Sequence, residues 1–347
     1  MQTAILKFLF HPVFQHIDFN SNSSGYMATI HYLNVGNGDC SIIQHNSGRV
    51  SVIDVNNAKS YDKFDTDTGT FTNSGKNQKN FPVNPVAYMI ARNIGPVFRF
   101  ILTHPDMDHM DGIGTFFNYF SPTNFWDTNN TKSDPDFSGG HFDEMDWESY
   151  KELRDGNLTS PKRLTLLKGS KGQLFNQNSD DTSGGDGLYI LAPTQELVDY
   201  ANRNESWNDI SYVLLYRTGK KRILFGGDAD TATWDWLLNN HKQDIQNVDL
   251  LIAPHHGRKS SCSYEFLKTV NPTLTFFGNA DKASHLAHDM FHRLGLERIT
   301  NNQGNCLIAD VDDNGIHVYV THQDFAKQYN GSGSFNPDVK GYYVKTI

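Results

Sequence analysis

Four polar groups stand within six residues at His104, Asp106, Asp108 and His109, in the stretch THPDMDH that directly follows the apolar run FIL. Two imidazoles and two carboxylates in one loop are costly to bury unless something binds them. Imidazole with carboxylate suits zinc, manganese or iron. Their spacing follows neither the 3.6-residue period of a helix face nor the alternation of a strand. A loop wrapped around cations is therefore expected, and two ions could be served from its two ends.

Two further polar clusters share the same placement. Gly227-Asp228 follows RILF, and His255-His256-Gly257 follows LLIAP. Taken singly, each has an ordinary explanation as a surface turn or a β-turn. Together, each behind an apolar strand, they read as one metal site, because functional side chains sit characteristically on loops carried by a rigid sheet. Arg258 and Lys259 come next in the chain. They suit a phosphate oxygen as well as they suit a solvated basic turn. The chain contains no Gly-x-Ser-x-Gly elbow and no GxxxxGK[ST] loop. A serine nucleophile of the elbow type and a P-loop triphosphatase are both disfavoured.

The elements that must position these groups are legible from apolar patterning. YMATIHYLNV alternates like a strand, VGNGD is a glycine turn, and CSIIQ and RVSVIDV continue a β-meander. Asn84-Pro85 begins a helix with Val86, Met89 and Ile90 on one face. VFRFILT is a buried strand delivering the His/Asp loop, and a helix follows from Met110. The signals weaken over 123–187, which is expected to be an insertion serving as a lid, a substrate wall or a protein interface. Order returns with LYILAP, the hairpin SYVLLYR–KRILFGGD, a helix over Thr231 to Asn240, the strand VDLLIAP, a helical stretch from Tyr264 to Val270 and the strand TLTFFG. CLIADV and IHVYVT close through Asp313-Asn314-Gly315. Residues 1–26 read as an N-terminal extension to one domain over 27–347.

Composition bounds the partners. The 347 residues carry a net charge of -9, with 37% hydrophobic and 20% charged residues. That balance gives no general attraction for nucleic acid or anionic membrane, although bound divalent cations would reverse the local sign. The 3 cysteines, Cys40, Cys262 and Cys306, are far apart and form no CxxC pair, so they read as reduced, small apolar residues. The apolar start is broken by Lys7, His11 and Pro12 and lacks a cleavage pattern, and no run approaches the ~18 residues of a membrane span. A cytoplasmic protein is expected.

LNVGNGDCSII with GRVSVIDV, LTHPDMDHMDGI, NDISYVLLYRTGKKRILFGGD and DLLIAPHHGRKSS together resemble the metallo-β-lactamase superfamily. THPDMDH resembles its His-x-His-x-Asp-His loop, with Asp106 in place of the second histidine. That variant and the ordered motifs resemble the hydrolase domain of the ComEC-type DNA-uptake branch and its free-standing relatives, from about Ile30 to Val320. The resemblance implies an α+β fold, an αββα sandwich of two mixed sheets with helices outside and the site at one edge. It implies that His104 and Asp106 hold one ion, and that Asp108, His109 and His255 hold a second. Asp228 would bridge the two, with His256 beside them. Asn208 occupies the place of the superfamily's third-motif histidine, as a weaker ligand or a positioning group. Asp54 matches a motif aspartate near the site, in a structural part. His285 falls in the late segment where the family carries a histidine, and either His285 or His288 could point into the cleft.

Two divalent ions, Zn²⁺ or Mn²⁺, would lower the pKa of a shared water toward ~7 and generate a hydroxide nucleophile. Asp108 would orient that water, and His285 would assist catalysis. An aspartate-rich loop makes the site harder and favours Mn²⁺ or Mg²⁺ and phosphodiesters. The leading expectation is a metal-dependent phosphodiesterase or nuclease acting on nucleic acid or a small phosphodiester, with no membrane association. A phosphocholine esterase or lactonase is the alternative if Phe116, Phe117, Tyr119, Phe120, Phe125 and Trp126 build an apolar pocket. The same aromatics could instead stack bases. A module of a multi-gene defence or regulatory system, bound to a partner through the insertion, is a third reading.

Overall fold

The computed structural model describes residues 26–59, 77–156, 158–260, 262–280 and 282–347. The expected N-terminal extension lies outside them, apart from Tyr26, where the first strand begins. In chain order the strands are β1 Tyr26–Tyr32, β2 Ser41–His45, β3 Val50–Ile53, β4 Val97–Ile101, β5 Asn124–Trp126, β6 Lys162–Leu164, β7 Leu188–Ala192 and β8 Val213–Thr218. They continue as β9 Lys221–Phe225, β10 Leu250–Ile252, β11 Leu274–Phe277, β12 Arg298–Thr300, β13 Leu307–Asp312, β14 Gly315–Val320, β15 Phe335–Asn336 and β16 Gly341–Thr346.

They form a 10-stranded sheet, ordered β15-β16-β14-β13-β1-β2-β3-β4-β5-β6, and a 6-stranded sheet, ordered β12-β11-β10-β9-β8-β7. Both are mixed. β3 to β6 run parallel in the first sheet and β9 to β12 in the second, while the remaining pairs are antiparallel.

Alternation along the strands builds the layers. Ile30, Ile43, Ile53 and Ile101 of the larger sheet share one core with Ile190, Leu214, Ile223, Leu250 and Phe276 of the smaller. Their neighbours Ile42, Val52 and Phe100 turn the other way, onto Val86, Met89, Ile113, Phe116 and Trp147 of the flanking helices. Leu215, Leu224, Leu251 and Phe277 likewise meet Trp234, Leu237, Phe266 and Phe291 on the far side. A period of two thus gives each sheet two apolar faces, one for the other sheet and one for helices. The chain is an αββα sandwich.

The local expectations hold with small changes. Asn84 caps the helix Pro85–Ala91, its Oδ1 accepting from the Val86 and Ala87 amides, but Ile90 faces solvent while Val86 and Met89 are buried. Within 123–187, β5 and β6 extend the larger sheet, and Glu144–Asp155 forms a helix burying Trp147, Tyr150 and Leu153. The proposed aromatic pocket is absent in that form. Phe116, Phe120 and Phe125 are core residues packed against the flanking helices, and Trp126 lies in the core between the two sheets. Cys40, Cys262 and Cys306 are buried and free. Among the described residues no helix is long and apolar enough to cross a membrane.

Candidate metal centre

β1, β3 and β4 of one sheet and β9 and β10 of the other end beside one another, and each hands the chain to a polar loop. Asp39 follows β1, Asp54 follows β3, the His104–His109 loop follows β4, Asp228 follows β9, and His255-His256 follow β10. Parallel strands end on the same side of a sheet, which is why loops far apart in sequence converge at one edge.

Asp54 anchors the first loop. Its Oδ1 accepts from the Thr103 amide at 2.7 Å, and its Oδ2 accepts from Thr103 Oγ1 at 2.6 Å. His109 Nδ1 lies 2.7 Å from the same Oδ2. The carboxylate therefore holds the ring through Nδ1 and turns Nε2 inward. Thr103 Oγ1 stands 3.1 Å from His104 Nδ1 and fixes that ring too.

The inward-facing atoms form a ring of near neighbours. His109 Nε2 lies 3.4 Å from Asp228 Oδ1, and His256 Nε2 lies 3.4 Å from Asp108 Oδ2 and 3.6 Å from Asp228 Oδ2. His256 Nδ1 is 3.6 Å from Asp39 Oδ2, and His104 Nε2 is 3.5 Å from Asp106 Oδ2. Asp228 is central, since its two oxygens face different histidines. Donor atoms of His104, His109 and Asp228 converge, as do those of Asp108, His109 and His256, of Asp39, Asp54 and His109, and of Asp39, Asp228 and His256.

These side chains fit divalent cations. Among the described residues, His104 Nε2, His109 Nε2, both nitrogens of His256, Asp228 Oδ1 and Asp39 Oδ1 are buried without a hydrogen-bond partner, although burying such polar atoms is costly. Two ligands each about 2.0–2.1 Å from a tetrahedral ion lie about 3.4 Å apart. The nitrogen–oxygen separations in the cluster, 3.4 to 3.6 Å, are of that size.

Charge tells the same story. Burial alone would lower His109 and His256, yet Asp228 and Asp54 hold His109 well above its ordinary range. Asp228, Asp108 and Asp39 push His256 up to about 10. Burial would raise Asp228, Asp108 and Asp106, but the histidines around them, joined at Asp106 by Lys132, hold all three below the usual carboxylate range. A cluster with more buried carboxylates than it has cations attracts positive charge.

The backbone is contorted to make this arrangement. His255 and His256 both adopt left-handed φ, at 55° and 54°, a conformation costing about 1–3 kcal/mol each. Gly257 follows at φ 80°, and a Cβ there would stand 1.8 Å from Phe277 Cδ1. At Gly38 a Cβ would stand 2.4 Å from the Asp108 carbonyl oxygen, so glycine lets the Asp39 turn press against the His/Asp loop.

The other expected residues are placed as follows. His256, expected beside the ligands, lies within the converging groups, whereas His255 Nε2 stands 3.7 Å from Asp228 and is partly exposed. Burial lowers His255, with Asp228 only partly offsetting it. Asn208 lies in the turn Trp207–Ile210, and its side chain makes no hydrogen bond with the cluster among the described residues. Three residues on, Ser211 Oγ accepts from the Asp228 amide. His285 is exposed, and its carbonyl rather than its ring ties to the loop, by accepting from the Lys259 amide. His288 turns away, with Nδ1 accepting from Arg298 Nε at 2.8 Å. Lys259 reaches Asp289 at 3.8 Å in solvent, and the Arg258 carbonyl accepts from Tyr264.

Two site residues escaped the sequence reading. Asp39 sits in the glycine turn VGNGD, where the turn alone accounted for an aspartate; its place right behind a buried strand was the available signal. Lys132, whose ammonium contacts Asp106, gave none.

No family model matches the chain, and no curated protein matches it. Similar solved structures include a CmlA β-hydroxylase mutant, at 12% identity and TM-score 0.44, covering 82% of this chain and 54% of that one. A diphosphatase from the PhnP family is similar at 11% identity and TM-score 0.38, covering 78% of this chain and 94% of that one. The long form of RNase Z from yeast is similar at 11% identity and TM-score 0.37, covering 77% of this chain and 39% of that one. The chain thus spans about half the length of the first of these and less of the last.

Proposed function

We propose that this chain is a metal-dependent phosphodiesterase of the metallo-β-lactamase superfamily, in its ComEC-type branch, with two divalent ions, Zn²⁺ or Mn²⁺, at the sheet edge. The observation that carries the reading is the Asp228 carboxylate, 3.4 Å from His109 on one oxygen and 3.6 Å from His256 on the other, amid buried atoms without partners. His104, His109 and Asp228, with Asp106, would hold one ion. Asp39, Asp108, Asp228 and His256 would hold the other. Ions bound there supply a water acidic enough to attack near neutral pH and positive charge for the ester oxygens.

The protein's own groups set the rest. Asp54 and Thr103 orient His109 and His104. Substrate enters where the cluster meets solvent: the side chains of Asp106 and Asp108 are 34% and 20% exposed, against 4% for Asp228. Asp106 is already paired with Lys132, which leaves Asp108 as the carboxylate that can meet a reacting water and accept its proton. Carboxylates dominate the donor set, which favours hard ions and phosphoryl oxygens. The lactonase and phosphocholine-esterase reading needed an aromatic pocket, and four of those rings, Phe116, Phe120, Phe125 and Trp126, are in the core.

The test is hydrolysis of bis-p-nitrophenyl phosphate and of single-stranded DNA by chelator-treated protein resupplied with Mn²⁺ or Zn²⁺. Turnover that Asp108→Ala abolishes supports the proposal. Turnover of a lactone alone contradicts it.

A further inference from the structure

One charged side chain at the centre has no part in the function just given. Lys132 comes from the loop after β5, and its ammonium contacts Asp106 Oδ1, while the other oxygen of that carboxylate faces His104 Nε2 at 3.5 Å. The contact is half-buried, with Lys132 only 16% exposed. The segment that presents it is fixed from several sides. The Lys132 carbonyl accepts from Arg154 Nη1 at 3.0 Å, and its amide donates to Asn130 Oδ1 at 3.2 Å. The Thr131 amide donates to Asn202 Oδ1 at 3.0 Å, and the buried Asn130 is itself held by Tyr150. Helices Glu144–Asp155 and Gln195–Asn204 thus hold the backbone of a lysine whose head group lies at the centre.

We propose that Lys132 is a built-in cation that makes the two ends of the centre unequal. This rests on reading the cluster as a metal centre. Ammonium and a divalent ion cannot share the Asp106 carboxylate without strong repulsion at short range. The inner end, with Asp39, Asp108, Asp228 and His256, has no lysine or arginine against its carboxylates among the described residues and loads first. The outer end, with His104 and Asp106, loads only as Lys132 leaves Asp106. A lysine suits that exchange, since its flexible stem lets the head group swing while the backbone stays in place. The displaced ammonium then remains at the opening, beside the position of a substrate phosphate.

Calorimetric titration of chelator-treated protein with Mn²⁺ tests this, with circular dichroism confirming the fold of each variant. Wild-type protein should show a tight step and a separate, weaker one, or the tight step alone. Lys132→Ala should tighten or create the weak step by on the order of tenfold or more. It should change the tight step by less than the weak one, since the Lys132 ammonium contacts Asp106 of the outer end. Lys132→Arg, which keeps the charge, should retain the wild-type pattern. A folded Lys132→Ala protein whose weak step is unchanged or lost overturns the inference and leaves the metal centre standing. A wild-type protein that binds no Mn²⁺, or binds it equally well as Asp228→Asn, overturns the metal-centre reading and this inference with it.

Discussion

His109 Nδ1 and Asp54 Oδ2 stand 2.7 Å apart in the interior, and the same carboxylate also accepts from both the amide and the hydroxyl of Thr103. One buried acid thus fixes the tautomer of a histidine and the start of the loop that carries it. Replacing it by Asn keeps the left-handed backbone, at φ 58°, that Asn tolerates well. Asp54→Asn should therefore fold but bind metal roughly 10–100-fold more weakly, the usual cost of losing such a partner. Competition against a fluorescent chelator reads this directly, and unchanged affinity would refute it.

The histidine pair after β10 gives a discriminating comparison. His256 is fully buried and faces Asp39, Asp108 and Asp228, while His255 is partly exposed and faces Asp228 alone. His256→Ala and Asp39→Asn should each weaken metal binding more than His255→Ala does. Affinities ranked the other way would move the ligand role to His255.

A third expectation concerns stability. Burial holds His31 neutral and lowers its pKa from 6.5 to about 3, with Arg92 adding to the effect and Gln44 opposing it. Its folded value is the depressed one, so the unfolded chain takes up the proton first. The contribution is whole above about pH 6.5 and lost as the pH falls toward about 3, at about 1.4 kcal/mol per pH unit. His31→Gln should lose stability at neutral pH, because the His31–Tyr88 hydrogen bond is lost, yet show a shallower decline between about pH 6 and 4, which lies inside that window. Urea denaturation of the two proteins across that range gives the difference, and parallel profiles would refute the assignment.

Much of this architecture was legible because strand alternation and strand ends are local signals. RILFGGD and LLIAPHH announce a buried strand and then polar groups, and in the structure both groups follow the ends of neighbouring strands, β9 and β10. What stayed hidden depends on the backbone rather than on residue type. Nothing in two adjacent histidines shows that both adopt left-handed φ, which carries His256 inward past its neighbour. Asp39 was concealed by a glycine turn that explained it too easily. Lys132 lies in a polar stretch without periodicity, and only its anchoring by Arg154 and Asn130 gives it meaning. The aromatic residues misled for the opposite reason: Phe116 and Phe125 are as consistent with core as with a pocket, and tertiary packing made them core.

The claim beneath all of this is that the partnerless atoms around Asp228 hold cations. Anomalous scattering from a manganese-soaked crystal measures it most directly. Strong peaks are expected within coordination distance of Asp228, flanked by His109 on one side and by His256 and Asp108 on the other. A well-ordered crystal with the same side chains in place, saturating Mn²⁺ and no anomalous peak among them would contradict it.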